Sequence, residues 1–175
     1  MCAKKISLSR QLPKTGQSIV YRAGDDGTYQ AGWWKGRLLS ANKVRFIEKT
    51  IDGDAVVIDR ATGLMWPKDA FDEGGDYGGS SVWSAAVDYC QNLDFAGFTD
   101  WRLPNITELS SLLNYAQFYP AINDLFINFA NVEHWSSTRY SPAAGYFWTL
   151  TFYNGDKYHR DEDETHYFFA VRSGL

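Results

Sequence analysis

Aromatic side chains are spread along this chain at a density that constrains what it can become. Seven Trp, eleven Tyr and eleven Phe stand among 175 residues, and fifteen Gly are interspersed with them. Aromatics bring large contact areas at low entropy cost, and Gly permits tight turns. Together they point to an irregular, loop-rich fold of short strands. The chain is long enough to bury a substantial core and is the length of one domain. Its hydrophobic share of 45% and charged share of 22% are ordinary for a globular protein.

Charge excludes some partners. The net charge is −4 and the isoelectric point about 5.3. A nucleic-acid partner needs a basic field, which no Lys/Arg cluster supplies, and the pair Lys4-Lys5 is too short to form one. No window approaches the ~20 apolar residues of a membrane span, so no membrane insertion is expected. The first sixteen residues carry no signal-peptide pattern, and no apolar segment precedes Cys2 as a lipoprotein would require. Two cysteines, Cys2 and Cys90, rule out a disulfide framework though not a single bridge, and Cys90 falls in an apolar helical pattern that suits a buried free thiol.

Short elements follow one another. Apolar pieces occur at Ser18–Tyr21 and Lys43–Phe46, with a turn at Asp25-Asp26-Gly27. Ala55–Asp59 and Leu64-Met65-Trp66 read as a hairpin turned by residues 60–63. After the Gly- and Asp-rich loop Phe71–Ser81, a helix capped by Ser81 shows Val82, Trp83, Ala86, Tyr89, Cys90 and Leu93 at helical spacing. Asn105 and Glu108 form a capping-box pattern ahead of Ile106, Leu109, Leu112 and Leu113. A third helical piece is expected over Ala121–Phe129. From Val132 strands take over: Trp148–Phe152 alternates, Asn154-Gly155 marks a hairpin turn, Asp156–Arg160 returns, and Phe168–Arg172 closes the fold.

In this order the pieces resemble a known family. LPKTGQ (Leu12–Gln17), DDGTYQAG (Asp25–Gly32), VIDRATGLMWPKDA (Val57–Ala70), FTDWRLPNITEL (Phe98–Leu109), HWSST (His134–Thr138), FWTLTFYNG (Phe147–Gly155) and FAVRSG (Phe169–Gly174) carry the resemblance over nearly the whole chain. The family is the C-terminal domain of collagen-like bacterial adhesins. The resemblance implies an α+β, C-type-lectin-like fold of the formylglycine-generating-enzyme type, with two helices packed on short antiparallel sheets. It implies one domain over residues 1–175, in which residues 1–54 are an N-terminal extension packed on the rest. It further implies a variable protein of a diversity-generating retroelement, in which error-prone copying at adenines rewrites the C-terminal segment, here about 135–175.

Composition adds to that implication. Trp135–Phe169 is one fifth of the chain and holds more than a third of its aromatics and two of its three histidines. Tyr and Trp make adaptable binding surfaces. Strand alternation assigns Trp148, Leu150 and Phe152 to the core and turns Phe147, Thr149, Thr151 and Tyr153 outward. An AAC or AAT template codon cannot become Trp, Lys or Glu, so Trp135, Trp148, Lys157, Glu162 and Glu164 are expected to be fixed. The expected ligand contacts are Tyr140, Ser141, Tyr146, Thr149, Thr151, Tyr153, Asn154, Asp156, Tyr158, Arg160, Asp161, His166 and Tyr167. The expected scaffold is Trp101, Arg102, Trp135, Trp148, Phe152 and Arg172, with both arginines paired to carboxylates.

The run Asp161–Glu164 reads as a solvated acidic turn, because consecutive loop residues rarely converge the six or more oxygens that calcium needs. The Glu-Pro-Asn and Trp-Asn-Asp motifs of calcium-dependent sugar sites are absent. No metal and no cofactor are expected. His134, His159 and His166 read as surface residues. No nucleophile, base or metal set is present to suggest an enzyme, so no catalytic residues are expected. The expected function is recognition of a protein or glycan on a host or cell surface, by a protein displayed on a virion or a cell. An invariant adhesin or carbohydrate-binding domain is the second reading. A formylglycine-generating-type enzyme is the third, weakened by the missing C-terminal cysteines.

Overall fold

The computed structural model describes residues 12–29, 44–75, 79–129 and 132–174. Cys2, the Lys4-Lys5 pair, residues 30–32 and Lys43 lie outside the described residues. The fold is mixed α+β, with a four-stranded and a three-stranded antiparallel sheet among the described residues. The first contains β1 (Phe46–Ile51), β2 (Asp54–Asp59), β3 (Leu64–Pro67) and β7 (Arg172–Ser173), in that order. The second contains β4 (Glu133–Arg139), β5 (Tyr146–Thr151) and β6 (Lys157–Asp161). The helices are α1 (Asp26–Tyr29), α2 (Trp83–Asn92) and α3 (Ile106–Ser111).

The β2–β3 hairpin is the one the sequence predicts, and both its faces are buried. Val56, Ile58 and Met65 join a core with Ala86 and Cys90 of α2, Trp101, Trp135 and Phe147. Val57, Leu64 and Trp66 enter a second core with Leu109 of α3, Ile122, Phe126, Leu150 and Phe152. The chain segment 168–171 runs between the same two cores. Phe168 and Ala170 point into one, Phe169 and Val171 into the other. Of the predicted closing strand Phe168–Arg172 only Arg172 belongs to β7, which pairs with β3, so the rest is largely extended backbone outside the ladder. Its hydrogen-bonding groups turn instead to loop backbone, through Ala170 N to Gly74 O (3.0 Å) and a reciprocal pair with Arg102 (2.9 and 2.8 Å).

The capping box at α3 forms as expected. Asn105 Oδ1 accepts from the backbone of Thr107 and Glu108, and the Glu108 carboxylate accepts from Asn105 N. Arg102 forks onto the same Glu108 at 2.8 and 2.6 Å. Partial burial opposes the charge on Glu108, but the Arg102 fork and the Asn105 amide outweigh it and hold the carboxyl below its usual range.

Two elements differ from expectation. Ser81 does not cap α2; Val82 holds the N-cap position, and Ser81 exchanges backbone bonds with His166 instead. Residues 121–129 form no helix. Ala121, Ile122, Phe126 and Phe129 are buried at spacings that mimic one, but the backbone is drawn to neighbours, with Ala121 N bonded to Phe152 O (2.7 Å) and Ile127 N to Lys68 O (3.0 Å).

Two buried polar groups generate predictions. Arg45 and Asp59 form a forked ion pair at 2.9 and 2.7 Å with side chains 5% and 0% exposed. Arg45 also reaches Ser111 O at the end of α3 (2.6 Å), and Asp59 accepts from Ala61 N and Thr62 Oγ1. Removing one partner strands a buried charge, so Asp59→Ala is expected to lower unfolding free energy by about 3 kcal/mol in urea denaturation. His134, expected at the surface, is fully enclosed by Phe129, Phe152, Phe169 and Tyr167. Burial pushes its pKa down to about 4, against the opposing carbonyls of Val132 and Leu150. The unfolded chain takes up that proton near pH 6.5 and the folded chain only near pH 4, so stability is lost as pH falls through this window, by about 3 kcal/mol from His134. His134→Phe is expected to flatten urea midpoints between pH 6.5 and 4.5; an unchanged slope contradicts the assignment.

Candidate functional site

The sheet β4–β5–β6 and its connecting loops carry most of the predicted contacts, and what covers each face decides which of them are available. Directly opposed residues share a face, so Tyr146, Trp148 and Leu150 of β5 lie with Asp161, His159 and Lys157 of β6. On this face Leu150 is sealed into the core containing α3. The other face carries Phe147, Thr149 and Thr151. There Phe147 stacks on Trp83 (3.6 Å between centroids, 13° between planes). Thr149 is fully buried and donates to Glu133 Oε2 (2.6 Å). Thr151 is 7% exposed, and its hydroxyl accepts from Tyr153 N. The expectation that Phe147, Thr149 and Thr151 turn outward is therefore corrected. Strand alternation assumes one wet face, and β5 has core against both.

Trp148 is corrected in the opposite direction. Expected in the core, it lies half-buried on the Leu150 face of the sheet, past the point where the core covers that face. Tyr140 and His159 stack flat on each other (4.1 Å, 9°), and both stand at right angles to Trp148, at 5.2 and 6.2 Å. Tyr146 lies 6.0 Å from His159. Tyr140 is set here by its backbone bond to Tyr146 O (2.7 Å). Thus four rings, from β5, β6 and the residue that follows β4, gather at one open end. Ser141 is exposed in the loop beside them, and Asp161 is half-buried opposite Tyr146. Sequence reasoning missed His159; its place beside Trp148 depends on the β5–β6 register, which no local motif encodes.

The remaining predicted contacts fall in two other places. At the far end of the hairpin, Asn154 and Asp156 are exposed and bonded to each other. Gly155, with φ +84°, makes the turn. Four residues bridge the Thr151–Asp156 backbone pair instead of two, because Phe152 dips into the core. Tyr153 is 41% exposed and packs against Phe118 and Tyr119. On the face opposite the ring group, Arg160 forks onto Glu133 at 2.8 and 2.5 Å and lies over the exposed Tyr158 ring. Partial burial works against the Glu133 charge, but Arg160 and Thr149 prevail and keep its carboxyl below the usual range. His166 is half-buried against Trp135, and Tyr167 stacks on Phe71. Burial lowers the His166 pKa.

Trp101 and Trp135 are buried and donate to Phe95 O and Ser81 O, and Phe152 is buried. Arg172 forks onto Asp100 and lies 3.7 Å above Phe98. Cys90 is a buried free thiol, and burial pushes its pKa up to about 12, so it is inert at neutral pH. Glu162, Asp163 and Glu164 are exposed on the acidic turn. Among the described residues, no group of three His, Cys, Asp or Glu is placed to hold a metal, and no helix is long and apolar enough to cross a membrane.

The family model described as the Lcl C-terminal domain matches residues 55–172, from the second residue of β2 to the first of β7. No curated protein matches the chain. The match spans about two thirds of the sequence and takes in most of both cores and the ring group. The chain belongs to the Lcl C-terminal domain family.

Proposed function

From that membership we propose that the chain is a non-catalytic, adhesin-type ligand-binding domain of C-type-lectin-like fold. It takes its ligand at the open end of the β4–β5–β6 sheet. The observation that carries this reading is the gathering of Tyr140, Tyr146, Trp148 and His159 where the core stops. Tyr and Trp dominate recognition surfaces because they bury much area while losing few rotamers. Here their rings are held by one another before any ligand arrives, which lowers the cost of ordering them on binding. The ligand is a protein or glycan on a host or cell surface, and the domain is displayed on a cell or virion.

The diversified form of this reading draws support from where the candidate positions lie. Tyr140, Ser141, Tyr146, Tyr153, Asn154, Asp156, Tyr158 and Asp161 all retain exposure on this sheet and its loops, while Trp135 and Phe152 anchor it from within. Thr149 and Thr151 leave the contact set because they are buried. In genes from several isolates, substitutions are expected to cluster at those exposed positions; an even spread along the chain favours an invariant adhesin.

Binding itself is tested with labelled protein applied to a panel of cell surfaces and a glycan array. The double variant Tyr140→Ala/Tyr146→Ala is expected to bind at least about tenfold more weakly with its melting temperature within a few degrees of the parent. Phe118→Ser, outside the site, is expected to bind normally. Equal binding by the double variant contradicts the location.

A further inference from the structure

We propose that the ring group is an arginine-binding site, and that the ligand presents an arginine side chain of a protein to it. This rests on the reading of the open sheet end as the binding surface and names the chemistry that surface takes. Tyr140, Tyr146 and Trp148 offer electron-rich rings, and aromatic rings attract cations positioned against their faces. Asp161 stands opposite Tyr146 on the same face, in line with His159. Its carboxylate accepts a bond from Asp163 N (3.1 Å) and forms no ion pair among the described residues. A half-buried carboxylate without an ion pair among the described residues, directly across from Tyr146 at the edge of the ring group, is complementary to a group that is flat, apolar on its faces and positive at its edge. Guanidinium fits that description better than ammonium, because it stacks and forks at once.

Among the described residues, the cations of this sheet do not fill the place. Arg160 is committed to Glu133 on the opposite face of the sheet, and Arg139 stands opposite Phe147 on that face. Lys157 shares the face with Asp161 but lies four residues along the strand, roughly 13 Å away at the usual rise. Glu162, Asp163 and Glu164 continue the negative charge past the rim of the site, where it draws a cationic partner toward the rings.

The test uses the full chain, isotopically labelled, and follows the Trp148 indole N–H and the Tyr146 and Asp161 amides by NMR. The probes are N-acetyl-arginine methylamide and its neutral isostere N-acetyl-citrulline methylamide. The arginine probe is expected to shift these signals saturably with Kd on the order of 10 mM, and the citrulline probe at least about fivefold more weakly. Asp161→Asn, which keeps the acceptor for Asp163 N, is expected to bring arginine down to the citrulline level. Equal response to the two probes, or no response to either, overturns the proposal. If the Tyr140→Ala/Tyr146→Ala variant still loses surface binding in that case, the site stands and only its chemistry is wrong. If neither effect appears, the binding reading falls with it.

Discussion

Burial on both faces of the central segments is the constraint on which the rest of this structure depends. Three pieces far apart in the chain, the β2–β3 hairpin, β5 with Phe152, and residues 168–171, send alternate side chains into two different cores. Val57 and Val56, Phe169 and Phe168, Leu150 and Phe147 are divided in this way. Neither core is large, and each is completed by a short helix. The high aromatic content follows from this geometry. Thin cores bounded by strands on several sides are filled by wide, flat side chains, and Phe129 alone meets Phe126, Phe152 and Phe169 edge to face.

The same constraint locates the binding surface. Where both faces of a strand are sealed, it has no side chain to offer, and Thr149 and Thr151 are lost to packing and to Glu133. Where the cores end, the next aromatic residues along the same strands gather with one another. Trp148 marks that transition, two positions along β5 from Leu150 and on the same face. The surface is thus a continuation of the core's side-chain order into solvent. Its rings are held by the backbone register that the cores impose.

Local signals were legible in the sequence, and long-range ones were not. The capping box at Asn105 and Glu108 and the hairpin turned by residues 60–63 depend on residues within a few positions of each other, and both formed. The pairing of Arg102 and Arg172 with carboxylates followed from the need to neutralise charges near a core. Alternation failed at β5 because period two only says that neighbours point apart; it does not say that one direction is wet. His134 could not be told from His159 for the same reason. One lies in a ring of phenylalanines and the other on an open face, although each occupies an ordinary strand position. Residues 121–129 imitate a helix because a strap crossing a core buries residues at irregular intervals that happen to match one.

The most direct measurement of the central claim is saturation mutagenesis of residues 132–174, with each variant sorted separately for folding and for binding to the recognised cell surface. The account predicts that variants which fold but no longer bind concentrate at Tyr140, Tyr146, Trp148, His159 and Asp161. Substitutions at Phe147, Thr149, Phe152 and Phe169 are predicted to lose both properties together. If variants that fold but do not bind map elsewhere, for example to Tyr153–Asp156 alone, or if no position separates the two properties, the open end of the sheet is not the binding surface.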